Sequence, residues 1–159
     1  MIRTARLDLR PPRLGDVPAL FAFMGDPAAM RHTHAHPTPR ALRRFLAGHR
    51  CQSRKTGSGP WTVIEHSTGQ IIGFGGLYDD PFDPGWGVEL AYFFAPDSWG
   101  KGYASELARA AIAAATGPRL RAFAHPGNAG SRRVLVKAGF SEIRYVVEMD
   151  RVLFELAIG

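Results

Sequence analysis

A chain of 159 residues, 45% apolar and 21% charged, has the make-up of one globular domain over residues 1–159 with room for a real core. No apolar run approaches the ~20 residues that cross a bilayer, which argues against a membrane partner, and the single Cys51 excludes an internal disulfide and fits a reducing cytoplasm. A net charge of +6 and a pI near 10.1 point to an anionic partner: a phosphate-rich small molecule, nucleic acid or ribosome, or an acidic protein.

The N-terminal run MIRTARLDLR has no apolar core, so it reads as part of the fold and not as a secretory signal. Within it, residues 6–10 alternate and form a strand that Pro11 and Pro12 end. Asp16 and Pro18 open a helix, with Asp16 as its N-cap, and Val17, Leu20, Phe21 and Met24 recur at helical spacing. Residues 30–39 carry His32, His34 and His36. Alternating histidines on one strand face suit a metal, but no Cys, Asp or Glu stands beside them. A polar loop at a substrate cleft is the favoured reading, and no metal is expected. Thr38 and Pro39 open a second helix over 40–54, with Leu42, Phe45 and Leu46 on one face and a dense basic patch over 40–55. No nucleic-acid module signature accompanies that patch, so direct nucleic-acid binding is not expected.

Residues 61–65 and 70–78 read as a hairpin through Ser67-Thr68-Gly69. Gly73, Gly75 and Gly76 inside its second strand predict a bulge or a close backbone approach. A loop over 79–87 follows. Val88, Leu90, Tyr92, Phe93 and Phe94 then make a buried strand over 88–94, stopped by Pro96 and Asp97. Trp99-Gly100-Lys101-Gly102-Tyr103-Ala104 leads into an Ala- and Leu-rich helix over 105–115. A strand, a glycine turn and a helix N-terminus make a site for a phosphate or pyrophosphate. Free N–H groups converge there, the helix dipole adds positive potential, and glycine lets a bulky ligand reach the backbone. A strand over 119–125, a turn at Pro126-Gly127-Asn128 and a short helix over 131–138 closed by Gly139 come next. Strands over 144–150 and 152–158 complete the pattern.

The run from Trp99 to Ala104 resembles the GNAT superfamily of acyl-CoA N-acyltransferases, whose pattern here is Arg/Gln-x-x-Gly-x-Gly/Ala. Trp99 departs from that first position. It is similar to the RimJ/RimL (ribosomal-protein N-acetyltransferase-like) branch, as is the preceding Ala95-Pro96. A second block agrees: Asn128, Ser131, Val134, Leu135, Lys137, Ala138, Gly139 and Phe140. The resemblance covers nearly the whole chain. It implies the α+β GNAT fold, a mixed, mostly antiparallel sheet of about six or seven strands with helices on both faces. Strands 88–94 and 119–124 are expected to run parallel and to part at their C-terminal ends.

The resemblance also implies a function: an N-acetyltransferase that moves an acetyl group from acetyl-CoA to a primary amine by direct attack in a ternary complex. A protein N-terminal α-amine is among the acceptors it suggests, and a homodimer among the assemblies. A non-catalytic acyl-CoA-binding module is the alternative. A nucleotide-phosphate binder of another kind is disfavoured, because the GxxxxGK and GxGxxG runs are both missing. On the resemblance, the CoA phosphates lie over Trp99, Gly100, Lys101, Gly102, Tyr103 and Ala104. The pantetheine arm lies beside Phe93, Phe94 and Ala95, Asn128 bonds it, and Arg133 reaches the nucleotide end. Glu89, a carboxylate amid aromatics whose pKa should be raised, is the candidate general base. The family's usual acid is a Tyr seven residues after the Asn, and Leu135 stands there. Ser131 is the remaining hydroxyl, as acid or as helix N-cap; Tyr92 and His125 are further candidates. The 30–39 and 79–87 loops are expected to frame the acceptor entrance, with Asp79, Asp80 and Asp83 attracting a cationic amine.

Overall fold

The structure is a computed structural model that describes residues 1–159. Its strands are β1 (Ile2–Arg3), β2 (Leu7–Arg10), β3 (Pro60–Glu65), β4 (Ile71–Asp79), β5 (Val88–Phe94), β6 (Arg119–Ala124), β7 (Ser141–Val146) and β8 (Arg151–Ala157). The helices are α1 (Val17–Met24), α2 (Pro39–Thr56), α3 (Tyr103–Ala114) and α4 (Ala129–Lys137). All eight strands lie in one sheet, in the order β1-β2-β3-β4-β5-β6-β8-β7. The expectation of six or seven falls short by β1, which pairs Ile2 with Leu9 and Arg3 with Asp8. Two residues are too few for alternation to register.

Side-chain alternation sorts the sheet's two faces. On one, Phe74, Tyr78, Ala91 and Phe93 pack under α1 and α2 with Leu20, Met24, Leu42 and Leu46. On the other, Leu90, Leu120, Ala122 and Phe154 pack under α3 and α4 with Ala108, Ala111 and Leu135. The glycines of β4 answer to close approaches. A Cβ at Gly73 would stand 2.7 Å from the Phe94 ring, and one at Gly76 would stand 2.6 Å from the Trp61 ring. The predicted bulge is present too, as a register shift against β3 between Val63 and Ile64.

Of the seven strand pairs, only β5 with β6 is parallel, and it pairs only Glu89 with Arg121 and Leu90 with Ala122. β5 stays paired with β4 through Phe94, and β6 with β8 from end to end. Each strand is therefore anchored on its outer side, and the two part on their inner sides as expected.

Three local expectations change. Asp16 stands at the N-cap position of α1, but its side chain does not cap that helix: the carboxylate is buried and accepts from Arg10 at 2.7 and 2.9 Å, the Arg13 N–H at 2.8 Å and the Thr62 hydroxyl at 2.8 Å. Burial pushes its pKa up, but those donors together hold it below the usual value. Ser131 is not an N-cap; Asn128 is, with its side chain accepting the Ser131 N–H at 3.1 Å. Finally, the strand placed over 144–150 is shorter at its far end and starts earlier. β7 stops at Val146, residues 147–149 form a 3-10 turn, and Asp150 sits at φ +51. The Tyr145 hydroxyl donates to that Asp150 carboxylate at 2.6 Å, which suits a tight turn into β8.

Candidate active site

Where β5 and β6 part, a cavity of about 140 Å³ opens. Its floor is the splayed strand ends, Tyr92 and Phe93 against Phe123 and Ala124. One wall is α4, through Asn128, Ser131 and Leu135; the opposite rim is His32, Thr33, His125 and Arg151.

The Tyr92 hydroxyl crosses this cavity to α4. It lies 3.2 Å from Ser131 Oγ and 3.4 Å from the Ser131 carbonyl. Burial pushes its pKa up to about 12, against a small opposing effect from Ser131, so the phenol keeps its proton at neutral pH. Leu135 left the site without the family's usual phenol, and Tyr92 brings one from the strand.

Glu89 sits on the other face of the sheet, three residues from Tyr92, because side chains alternate along β5. The cavity therefore brings Ser131, Asn128 and Tyr92 together but not Glu89. Glu89 makes no hydrogen bond or ion pair: the nearest candidate partner, Arg121, is held by Glu155 at 3.2 Å and by the Trp86 carbonyl. Burial first, then Asp80 and Asp83, raise the Glu89 pKa to about 8, and Arg121 opposes them only in part.

The glycine turn is built for an anion. Gly100 and Gly102 take left-handed φ values of +73° and +81°, and Gly102 is the N-cap of α3 with no side-chain cap. The N–H groups of residues 100–105 donate to no acceptor within the protein. Free donors at the start of a 12-residue helix suit phosphate oxygens. Several residues fix the turn. Trp99 donates its indole N–H to the Phe94 carbonyl at 2.9 Å, and Arg31 lies over its ring at 5.6 Å. Arg6 donates to the Lys101 carbonyl at 2.8 Å and lies over the Tyr103 ring at 4.5 Å. Arg6 is itself held by the buried Glu106 at 2.8 Å, which also accepts from Thr4 at 2.6 Å. Burial pushes Glu106 up, but Thr4 and Arg6 hold it below its usual pKa.

Not every expected cofactor residue presents the group expected of it. The Tyr103 ring is buried, with its hydroxyl on Glu65, so only its backbone N–H faces outward. Ala95 has both backbone groups engaged, its N–H on Ile72 and its carbonyl on Ser98. Phe93 points its backbone the same way as Ala95, toward β4, because backbone direction also alternates. The free inner edge of β5 is therefore Tyr92 and the N–H of Phe94, whose carbonyl Trp99 holds. On α4, Arg133 is exposed without a partner, whereas Arg132 is tied to Glu142 at 3.1 Å and to the Pro126 carbonyl.

The rim brings together two histidines that the sequence placed in separate loops. His32 stacks on His125 with ring centroids 5.2 Å apart. His125 Nδ1 accepts the Gly127 N–H at 3.0 Å, which puts its proton on Nε2, 3.5 Å from Asp150. Burial, then Arg31, His125 and Arg151, lowers the His32 pKa. His36 turns away to pack against Phe45, ring centroids 4.7 Å apart and tilted by 53°, so the three alternating histidines do not share a face.

Residues 6–141 match the model of the acetyltransferase (GNAT) domain. The chain belongs to the GNAT family. It is 29% identical over 141 residues to the uncharacterized protein YkkB of Bacillus subtilis, covering 86% of this chain and 82% of that one. An acetyltransferase from Agrobacterium tumefaciens superposes with a TM-score of 0.81 at 24% identity, over 98% of this chain and 92% of that one. The spermidine N-acetyltransferase of Vibrio cholerae, solved with CoA and spermine, superposes with a TM-score of 0.78 at 17% identity, over 98% and 97%. As a GNAT protein it is an acyl-CoA-dependent N-acetyltransferase, with acetyl-CoA as its acyl donor. The residues present fit that donor: free amides and an unpaired arginine for phosphates, and an unpaired strand edge for an amide-bearing arm.

Proposed function

We propose that this protein transfers the acetyl group of acetyl-CoA directly to a primary amine with both substrates bound at once, the whole chain acting as one acyltransferase domain. The observation that carries this reading is the separation of groups across β5. Tyr92 and Ser131 lie on one face, and an unpaired Glu89 lies on the other, beside the point where β5 and β6 part.

Bound acetyl-CoA supplies an activated carbonyl and a thiolate leaving group. The N–H groups of residues 100–105, Lys101 and Arg133 hold its phosphates, and Asn128 and the Tyr92 edge hold its arm. Glu89 takes the proton of the incoming ammonium. Its carboxyl titrates at about 8, and a cation beside it favours the ionised form. As the C–N bond forms and the C–S bond breaks, Ser131 Oγ passes its proton to the departing sulfur and recovers one from the Tyr92 phenol. The second amine proton, released as the amide forms, returns through solvent in the cleft to Tyr92, and Glu89 gives its own proton to solvent.

The Trp99 to Ala104 run and the Asn128 and Ser131 block support membership of the RimJ/RimL branch, and with it a protein N-terminal α-amine as acceptor. An α-amine titrates near ~7.7–8.0, so its proton passes to Glu89 with little free-energy change. The exposed free thiol of Cys51 supports a reducing, cytoplasmic setting. The test is turnover of acetyl-CoA with a peptide bearing a free N-terminus, the same peptide blocked there but carrying lysine, and a small diamine. The account expects the free N-terminus to react fastest and initial-rate lines to intersect. Parallel lines, the mark of a covalent acetyl-enzyme, would sink direct transfer.

A further inference from the structure

A second set of polar groups lies on the Glu89 face of the sheet and has no part in the chemistry above. α2 lays Phe45 and His49, four residues apart, against Phe74 and Tyr78 of β4. His49 is 2% exposed and Tyr78 4% exposed. Their rings meet edge-on at 4.7 Å, and neither His49 Nε2 nor the Tyr78 hydroxyl has a hydrogen-bond partner. Native proteins leave few buried polar atoms unpaired, because each unpaired group is unfavourable. Two in contact on one side of a substrate face call for an occupant.

The surroundings say which charge that occupant carries. Asp80 acts on both groups and Glu89 acts on Tyr78, whereas the base whose charge bears on His49 is His36. His36 is itself largely neutral, because burial lowers its pKa. Phe45 and Phe82 add aromatic faces, their rings stacked at 5.9 Å. Two lone-pair donors, two nearby carboxylates and aromatic walls favour a cation. Burial holds His49 neutral, at a pKa of about 4, so its ring can accept an N–H at neutral pH.

One side chain covers this cluster from outside. Phe82 belongs to the loop between β4 and β5 and is 57% exposed, yet its ring lies 5.7 Å from His49 and rests on α2 at Gly48. A Cβ at Gly48 would stand 2.6 Å from that ring. Glycine inside a helix is less stable than alanine, and seating Phe82 is what this one accomplishes. Gly85 and Gly87, at φ +106° and +75°, follow it in the loop.

We propose that Phe82 is the removable cover of an amine-binding pocket lined by His49 and Tyr78, which takes the second, non-reacting cationic nitrogen of the acceptor. Tyr78 and Glu89 are cross-strand partners, so a nitrogen in this pocket lies beside the amine that Glu89 serves. The acceptor is then at least dicationic: a diamine, a polyamine, or a peptide with a basic side chain near its N-terminus. The inference rests on the reading that the acceptor approaches on the Glu89 face.

The test is calorimetric binding of 1,4-diaminobutane and of n-butylamine to the CoA-loaded protein. The diamine should bind at least ~10-fold more tightly. Tyr78→Phe, which keeps the ring and removes the hydroxyl, and His49→Gln should each bring the two affinities together. Gly48→Ala, which evicts the Phe82 ring and raises helix propensity, should keep the preference for the diamine and speed its association. Equal affinities in the wild type, no binding of either amine, or a preference unchanged in both Tyr78→Phe and His49→Gln would overturn the proposal. Acetyl-CoA turnover is scored separately. Selective diamine binding without turnover upholds the pocket against the acetyl-transfer reading, and turnover without selectivity does the reverse.

Discussion

Glu89 ought to be a liability to the fold wherever it is ionised, and replacing it with glutamine measures by how much. A glutamate titrates near ~4.3 in an unfolded chain, and Glu89 titrates at about 8 in the fold. Between those values the native protein holds a proton that the unfolded chain has released. Stability from this group is therefore complete below the lower value and is lost as pH rises through the upper one. At ~1.4 kcal/mol per pH unit the window sets a ceiling of ~5 kcal/mol. Water at a half-buried carboxyl and screening by salt bring the expected effect to ~2–3 kcal/mol. Glu89→Gln keeps the shape and removes the charge. Urea unfolding followed by circular dichroism should find the two proteins alike at pH 5, with the variant more stable by ~2–3 kcal/mol at pH 9. A difference that is the same at both pH values would refute the reasoning, because it would mean that Glu89 is not held out of its ionised form.

Other expectations follow from the same geometry. Gly102→Val places a β-branched residue at φ +81° under the phosphates, and CoA affinity measured by calorimetry should fall at least ~10-fold. Tyr92→Phe should lower kcat while leaving CoA affinity intact, and Ser131→Ala should lower it further; the double variant should do no worse than Ser131→Ala, because both act through one hydroxyl. Replacing Asp79 and Asp80 with Asn should raise the KM for an amine but not for acetyl-CoA, with the effect shrinking at high salt. Arg6→Ala should take from the buried Glu106 its ion partner, leaving it the Thr4 hydroxyl and the residue-6 N–H, and lower stability by ~1–2 kcal/mol in thermal unfolding, with looser CoA binding because the Lys101 carbonyl loses its donor.

Much of the fold was legible because its signals are local. The glycine turn, the Thr38 cap, which accepts the Ala41 N–H at 3.0 Å, and the alternation of β5 all belong to short stretches. The parting of β5 from β6 came from the family resemblance and is present. What escaped depends on partners distant in sequence. Asp16 looks like an N-cap until Arg10 and Thr62 claim its carboxylate. Arg6 and Glu106 stand 100 residues apart and meet under the glycine turn. The reach of Tyr92 to Ser131 spans 39 residues and depends on which face of β5 Tyr92 occupies. The stacking of His32 on His125 likewise joins two turns that no spacing rule connects. Glu89 was legible as a residue with a raised pKa, but not as one on the opposite face from Ser131.

The proposal that Glu89 is the base and Ser131 the acid, on opposite sides of the opening between β5 and β6, is tested most directly by the pH dependence of kcat/KM for Glu89→Gln beside the wild type. The assay uses acetyl-CoA and a peptide with a free N-terminus. The account predicts a loss of ~10²–10⁴-fold at pH 7 that narrows steadily toward pH 9, as the amine sheds its proton unaided. A loss of the same size at every pH would contradict it, and would make Glu89 a positioning group.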